Sequence, residues 1–482
     1  MNPPENRARR ITHNTLFLYG SEAAARLFSW ALLSYLTRRW TDVGTYGQYA
    51  LAVNWVSILA IFSDLGLNVL VVREVAHRRE KALFYLRYAI AIRAVFSLVF
   101  WAGLMGISFA LGYEPDLRMG MAVMGLRILL DSIAGGYIYL FQSHELMGFY
   151  SLTNILSAAV RLLGIVMVVE SGGGVVEACA VWTVASGVAL LALFWRGHQL
   201  GWKPDLSGLR LSDAAAILRQ SIPLATFGSL QMLYYRVDSV ILKGLTHNNQ
   251  TVGFYDLAAK IIFVILAFSQ IFGTAVFPVF SSVRDDSGAF GRMAGRSIKF
   301  LFLLGIPATA GGFLLAQPII LLVSGEKYLP SVPMFAVLML SVGFYFVCHV
   351  YVITLAIHNV VRLNLQFAIL FVVNAVLNFI LIPRMGGVGA SWATVLCEAF
   401  GLALGFGLAA PYLRKLDWAS LIRPFLTCLA SCVLMGLAIH QDPRLYWIVL
   451  GPLGYGVLMW LLRGLDPEDW NGLLAALRRK KA

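Results

Sequence analysis

Charge is scarce in this chain of 482 residues: 13% are Asp, Glu, Lys or Arg, against 59% hydrophobic. A soluble protein of this length carries roughly 25% charged residues to meet water, so the composition cannot clothe a water-facing surface. Long polar stretches are missing too. The longest, 197–214 and 284–295, have the length of connectors, which argues against a membrane-embedded polymerase or glycosyltransferase with a donor-binding loop. No Gly-x-x-x-x-Gly-Lys-Ser/Thr run occurs, so nothing in the sequence offers the backbone cradle for direct use of ATP. Cysteine is limited to Cys179, Cys348, Cys397, Cys428 and Cys432, all inside apolar runs. Cys428 and Cys432 are one helical turn apart, but without a His or carboxylate at ligand spacing they read as small packing residues, and no metal is expected. No clear small-residue cleavage site follows the first apolar run, so that run is expected to be retained.

What the chain does have is apolar length. A helix needs about 20 mostly apolar residues to cross a hydrocarbon core of about 30 Å. Runs of that kind lie near 14–36, 43–72, 84–112, 118–141, 146–170, 173–196, 215–243, 252–280, 296–323, 331–357, 361–383, 386–413, 421–440 and 444–463. The expected fold class is therefore an all-α polytopic membrane protein with about fourteen transmembrane helices.

The net charge of +13 is unevenly dealt. Arg7, Arg9, Arg10, Arg73, Arg78, Arg79, Lys81, Arg196, Lys203, Arg210, Arg284, Arg292, Arg296, Arg414, Lys415 and the run Arg478–Lys481 fall on one side of the expected membrane. The other side holds Arg38, Arg39, Arg118, Lys243, Lys327, Arg384 and Arg444. By the positive-inside rule both termini are cytoplasmic. The basic surplus is thus an orientation signal, and no nucleic-acid partner is expected. The tail from Asp466 to Lys481 reads as a short amphipathic helix on the inner leaflet, with Pro467 at its first position, acids first and bases last.

The two halves echo each other. Gly47-Gln48-Tyr49-Ala50-Leu51-Ala52 in the second run matches Gly253-Phe254-Tyr255-Asp256-Leu257-Ala258 in the eighth. Gly174-Val175-Val176-Glu177-Ala178 and Gly386-Gly387-Val388-Gly389-Ala390 open the sixth run of each half. The reading is two pseudo-symmetric six-helix lobes: 1–196 as the N-terminal lobe, 197–214 as a cytoplasmic linker, 215–413 as the C-terminal lobe, and 414–482 as two further helices with the tail. Because both halves start in the cytoplasm, the repeat is parallel, as in some transporters.

Several segments carry a family resemblance. They are Tyr234-Tyr235-Arg236-Val237-Asp238-Ser239-Val240-Ile241-Leu242, Val252-Gly253-Phe254-Tyr255-Asp256-Leu257-Ala258-Ala259-Lys260-Ile261, Gly44-x-x-Gly47-x-Tyr49, Asp64-Leu65-Gly66-Leu67, Arg73-Glu74-Val75-Ala76 and Pro278-Val279-Phe280-Ser281. With the span number and loop lengths, they resemble the polysaccharide (O-antigen and teichoic-acid type) flippases of the multidrug, oligosaccharidyl-lipid and polysaccharide exporter superfamily. The resemblance implies two helical lobes around a central cavity that opens alternately to either side. It implies a substrate made of an oligosaccharide linked through a diphosphate to a polyprenol. It also implies a bacterial or archaeal cytoplasmic (inner) membrane, contact with membrane lipids, and other polysaccharide-assembly proteins as partners.

An ionisable residue deep in a span costs roughly 2.5 kcal/mol or more and normally faces a cavity or a partner. Candidates are Glu22 and Arg26 in the first span, Asp64 in the second, Arg93 in the third, Arg127 and Asp131 in the fourth, Arg161 in the fifth, Arg236 and Asp238 in the seventh, Asp256 and Lys260 in the eighth, and Glu398 in the twelfth. Glu22 with Arg26, Arg127 with Asp131, and Asp256 with Lys260 are i,i+4 and can neutralise each other on one helix face. Arg93 and Arg161 have no carboxylate within a turn; Arg93 is expected to sit shallow or snorkel. In light of the resemblance, Arg26, Arg127, Arg161 and Arg236 are the candidate diphosphate contacts, since a guanidinium fork matches phosphate oxygens bidentately and stays charged. Glu22, Asp64, Asp131, Asp238, Asp256 and Lys260 are candidates for coupling or gating. No catalytic residue and no cofactor is expected, and a proton or sodium gradient is the expected energy source. Gly135-Gly136, Gly172-Gly173-Gly174, Gly311-Gly312 and Gly386-Gly387 are hinge candidates, although close packing is the commoner use of such glycines. The rival readings are a drug or organic-ion exporter, which would want uncompensated acids rather than Arg, and a lipid II flippase of the same superfamily.

Overall fold

The computed structural model describes residues 4–441 and 446–462. Among them the regular elements are all helical: α1 Pro4–Arg39, α2 Val43–Asp64, α3 Leu67–His77, α4 Ala82–Ala110, α5 Pro115–Ser143, α6 Met147–Glu170, α7 Val175–Gln199, α8 Leu211–Tyr234, α9 Val237–Thr246, α10 Asn249–Ser282, α11 Ser287–Leu314, α12 Ala316–Ser324, α13 Ser331–His358, α14 Val360–Ala409, α15 Ala419–Gln441 and α16 Trp447–Leu461, with short 3-10 turns between some of them. The tail helix expected at 466–481, and Arg444, lie outside the described residues. Each of the fourteen apolar runs falls on a helix or a broken pair of helices. Ten stretches among the described residues are long and apolar enough to cross a membrane by length and composition. The four runs not counted separately are diluted by polar residues (α1 and α8), fused to a neighbour (the second half of α14) or short (α16).

The helices break where the backbone chemistry says they should. Asp42 accepts from the Thr45 amide at 2.9 Å to start α2, and Asp286 accepts from the Gly288 and Ala289 amides to start α11, each satisfying donors that a helix start leaves open. α2 ends at Leu65 and Gly66, both with positive φ (48° and 75°). α14 contains the expected boundary at residues 383–386 as a kink: Pro383 lies in the helix and Gly386 takes φ 57°, ψ −134°, a backbone state open to glycine alone.

The chain divides into two compact units, Met1–Gly253 and Phe254–Ala482. In the first, α4 packs on α5, α5 on α7, and α1 on α6, while α8 and α9 rest on α2 and α3. Its core includes Leu67, Leu86, Tyr88, Tyr137, Phe141, Leu193 and Trp202. The segment between α7 and α8, expected as a cytoplasmic linker, is seated on this unit. Trp202 is buried edge-on against Phe141, with ring centroids 5.0 Å apart. The Tyr88 hydroxyl donates to Asp213 at 2.9 Å and accepts from the Arg210 amide at 3.0 Å. The first turn of α10 also belongs to this unit. A Cβ at Gly47 would run into the Asn249 carbonyl, and one at Gly253 would lie 2.8 Å from the Val43 carbonyl. The glycines of the repeated Gly-x-Tyr-x-x-Ala sequence therefore have a packing reason: they let two backbones touch.

The second unit is built from α13 on α14, α11 on α13 and α15 on α11. Cys428 and Cys432 are buried beside Tyr455 and Met459, and the Tyr455 hydroxyl donates to the Cys428 sulfur at 3.0 Å. Among the described residues no three His, Cys, Asp or Glu side chains gather in a way that would hold a metal.

Candidate functional site

Small residues bring α5, α6 and α7 together. A Cβ at Gly164 on α6 would lie 2.7 Å from Val181 on α7, and one at Gly120 on α5 would lie 3.2 Å from the Cys179 sulfur. The Thr183 hydroxyl donates to the Val123 carbonyl at 2.8 Å, tying α7 to α5 a second time. Trp182 is thereby set between Arg127 of α5 and Arg161 of α6. Both guanidinium carbons lie over its ring, at 4.7 Å and 4.6 Å from the centroid. The indole Nε1 donates to the hydroxyl of Tyr49 on α2 at 2.9 Å. Arg127 is paired with Asp131 one turn on (Nε to Oδ2, 2.9 Å), as its i,i+4 spacing predicts. No ion pair within 4 Å reaches Arg161 among the described residues. The group thus holds two guanidiniums to one carboxylate inside spanning helices, and its chemistry is that of an anion seat. Trp182 is the member that sequence reading misses.

Arg93 is not shallow. Its side chain is buried, paired with Asp64 at 3.3 Å, hydrogen-bonded to the Tyr139 hydroxyl, and over the Tyr139 ring at 5.4 Å. The Tyr139 hydroxyl in turn donates to Asp64. Three helices, α2, α4 and α5, supply the charge balance that α4 alone lacks. Gly135 makes room for it, because a Cβ there would collide with the Arg93 guanidinium, and Gly136 lies against Ile90 and Leu86. In these positions the Gly135-Gly136 pair serves packing.

The other candidates are scattered. Glu22 and Arg26 are both exposed on α1, and no ion pair within 4 Å joins them. Of the candidate arginines, Arg127 and Arg161 are the two that meet over one ring. Arg236, at the break between α8 and α9, donates to Asn54 of α2 at 3.1 Å, and Asp238 is buried just after it. In the second unit, Lys260 pairs with the buried Asp256 at 2.6 Å, and Glu398 is buried on α14. Tyr137, Tyr139, Tyr234, Tyr345 and Tyr351 are buried.

A further set escapes sequence reading because its members lie 129 and 135 residues apart. Lys243, buried at the end of α9, pairs with Glu114 at 2.7 Å, and Asn249 donates to the same carboxylate oxygen at 3.1 Å. Glu114 stands just ahead of α5. Partial burial pushes its carboxyl up, but the Lys243 ammonium and the added hydrogen bonds outweigh this and hold it below the usual carboxylate range.

A family model described as "Polysaccharide biosynthesis protein" matches residues 11–284. The chain is 22% identical over 463 residues to a protein named "Probable flippase AglR" of Haloferax volcanii, covering 90% of this chain and 92% of that one. It is 22% identical over 352 residues to a "Putative O-antigen transporter" of Shigella flexneri, covering 70% and 82%. Among solved structures, the lipid II flippase MurJ in an inward closed conformation superposes with a TM-score of 0.74 at 14% identity, covering 93% of this chain and 98% of that one. At that identity the likeness is one of fold.

Proposed function

This chain belongs to the polysaccharide biosynthesis protein family, and on that premise we propose that it flips an oligosaccharide, linked through a diphosphate to a polyprenol, from the cytoplasmic to the outer leaflet. The observation that carries the reading is the pairing of Arg127 and Arg161 over one indole with a single carboxylate beside them. A guanidinium is never neutralised in a protein, so the surplus positive charge calls for an anion, and a lipid diphosphate supplies one with oxygens spaced for bidentate contact. Relatives named as a probable flippase and a putative O-antigen transporter support the same substrate class.

The glycan needs such a carrier because each unpaired hydroxyl costs roughly 2–7 kcal/mol to move into hydrocarbon. In this reading the headgroup passes through a hydrated path by alternating access while the prenyl chain stays in lipid. Arg26 and Arg236 are further contacts along that path. Transport requires no cofactor and no covalent chemistry, and a proton or sodium gradient drives it. Glu22, Asp64, Asp131, Asp238, Asp256 and Lys260 are the groups whose pairing changes between states. The protein works in the cytoplasmic membrane with both termini inside, alongside the enzymes that build and polymerise the glycan.

The test is genetic with a chemical readout. Deleting the gene and labelling lipid-linked glycans should show them accumulating in the inner leaflet, with loss of the surface polysaccharide. Normal surface glycan together with altered drug sensitivity would overturn the reading in favour of a drug exporter.

A further inference from the structure

We infer that Trp182 is the positioning residue of the Arg127–Arg161 anion seat: its indole holds two like charges before any ligand arrives, and Tyr49 fixes the indole. The inference rests on the reading above only for the identity of the anion.

Two guanidiniums brought near each other repel, and in a low-dielectric interior that repulsion is weakly screened. Asp131 answers for one of them, through Arg127. Among the described residues no carboxylate lies within ion-pair distance of Arg161, yet its guanidinium lies as close to the Trp182 ring as that of Arg127 does. The electron-rich face of an indole is the strongest neutral partner for a cation among the side chains, and here one ring serves both. The ring itself has little freedom. Its Nε1 is hydrogen-bonded to the Tyr49 hydroxyl at 2.9 Å, and Tyr49 is buried edge-on to Trp40 with centroids 5.6 Å apart. On either side, Val181 closes on Gly164 and Thr183 is bonded to the Val123 carbonyl. Four helices thus fix one aromatic plane, and that plane fixes the cations. A tryptophan serving only as filler would need neither the tethered Nε1 nor two guanidiniums over its face. Preorganisation of this kind favours binding, because the seat does not have to be assembled against charge repulsion when the anion enters.

The full-length protein in lipid nanodiscs offers the test, with undecaprenyl diphosphate as the probe and a second readout that needs no substrate. Phenylglyoxal modification of Arg127 and Arg161, mapped by mass spectrometry, reports how well each guanidinium is held. Trp182→Leu should weaken undecaprenyl diphosphate binding about tenfold, the loss expected for removing a well-placed cation–π partner from two cations. It should also raise modification of both arginines severalfold. Trp182→Phe, which keeps an aromatic face, should stay within about threefold of the parent in binding, and Tyr49→Phe should fall between the two. Trp182→Leu added to Arg161→Gln should cost little more than Arg161→Gln alone, because the pair acts as one unit. Binding and arginine reactivity both unchanged in Trp182→Leu and Tyr49→Phe would overturn the inference, as would losses in the double variant that simply multiply. If the parent protein fails to bind the probe while arginine reactivity still rises in Trp182→Leu, the positioning role stands and the proposed substrate falls.

Discussion

The two units handle polarity inside their helices in different ways. In the first, charge is gathered across helices: Asp64, Arg93 and Tyr139 from α2, α4 and α5, Arg127, Asp131, Arg161 and Trp182 from α5, α6 and α7, and Lys243 with Glu114 and Asn249 at one end. In the second, most of the buried polarity described is neutral. Gln366 donates to the Gly401 carbonyl, Asn378 donates to the side chain and carbonyl of Asn374, and Ser269 bonds His349. Fixed charge there comes down to Asp256 with Lys260, and Glu398. An amide can be left partly satisfied at modest cost, whereas a guanidinium in hydrocarbon must be answered at every moment. The first unit therefore keeps its charges in cross-helix groups, and the second relies more on neutral amides and hydroxyls.

The sharpest way to break this contrast is to move charge in one unit and amides in the other. Arg127→Gln or Arg161→Gln should lower transport of lipid-linked glycan by about a hundredfold or more at normal abundance, while Asn378→Leu should lower it by no more than about tenfold. Equal losses from the two sets would erase the distinction. Stability should follow next. Gly135→Val drives the Arg93 guanidinium from its place, and Asp64→Asn strips it of its carboxylate; each should cost about 3–5 kcal/mol in denaturant unfolding in detergent, the usual price of a buried charge left alone. Replacing Arg93 and Asp64 together by Leu should recover much of that loss. In the second unit, Asp256→Asn should cost only about 1 kcal/mol, since Lys260 is part-exposed and reaches solvent.

The smallest expected effect is a pH dependence at Glu114. Its carboxyl is held below the usual range in the folded state, so its contribution is complete above the unfolded carboxylate pKa, about 4.3. That contribution is lost as pH falls through the lower folded value. Melting curves between neutral pH and about pH 3 should show the parent losing slightly more stability than Glu114→Gln. Parallel curves would mean that the ion pair with Lys243 contributes nothing.

Much of the architecture is legible in sequence because membrane helices announce themselves by length and composition, and because Pro383 and Gly386 mark the break inside α14. Ion pairs within a turn are legible for the same reason: Arg127 with Asp131 and Asp256 with Lys260 are fixed by helix geometry. The spacing of Glu22 and Arg26 is identical, yet no ion pair joins them, since spacing permits a contact without requiring one. Pairs that depend on which helices meet are not legible. Asp64 and Arg93 are 29 residues apart and Tyr139 is 46 beyond Arg93, so the sequence leaves Arg93 looking unpartnered. Trp182 carries even less signal, because one tryptophan among twelve in a membrane protein reads as an interface anchor. The nearest hint is the small residues, Gly120 and Gly164, whose close approach sets its place.

The fit of Arg93 against Gly135 also constrains how the sequence can drift. Enlarging residue 135 first is blocked by the guanidinium, and losing Asp64 first strands a charge with no proton to give up. Losing Arg93 first strands no guanidinium, and the Asp64 side chain keeps a third of its surface open. Substitution at 93 is therefore expected to ease change at 64 and 135.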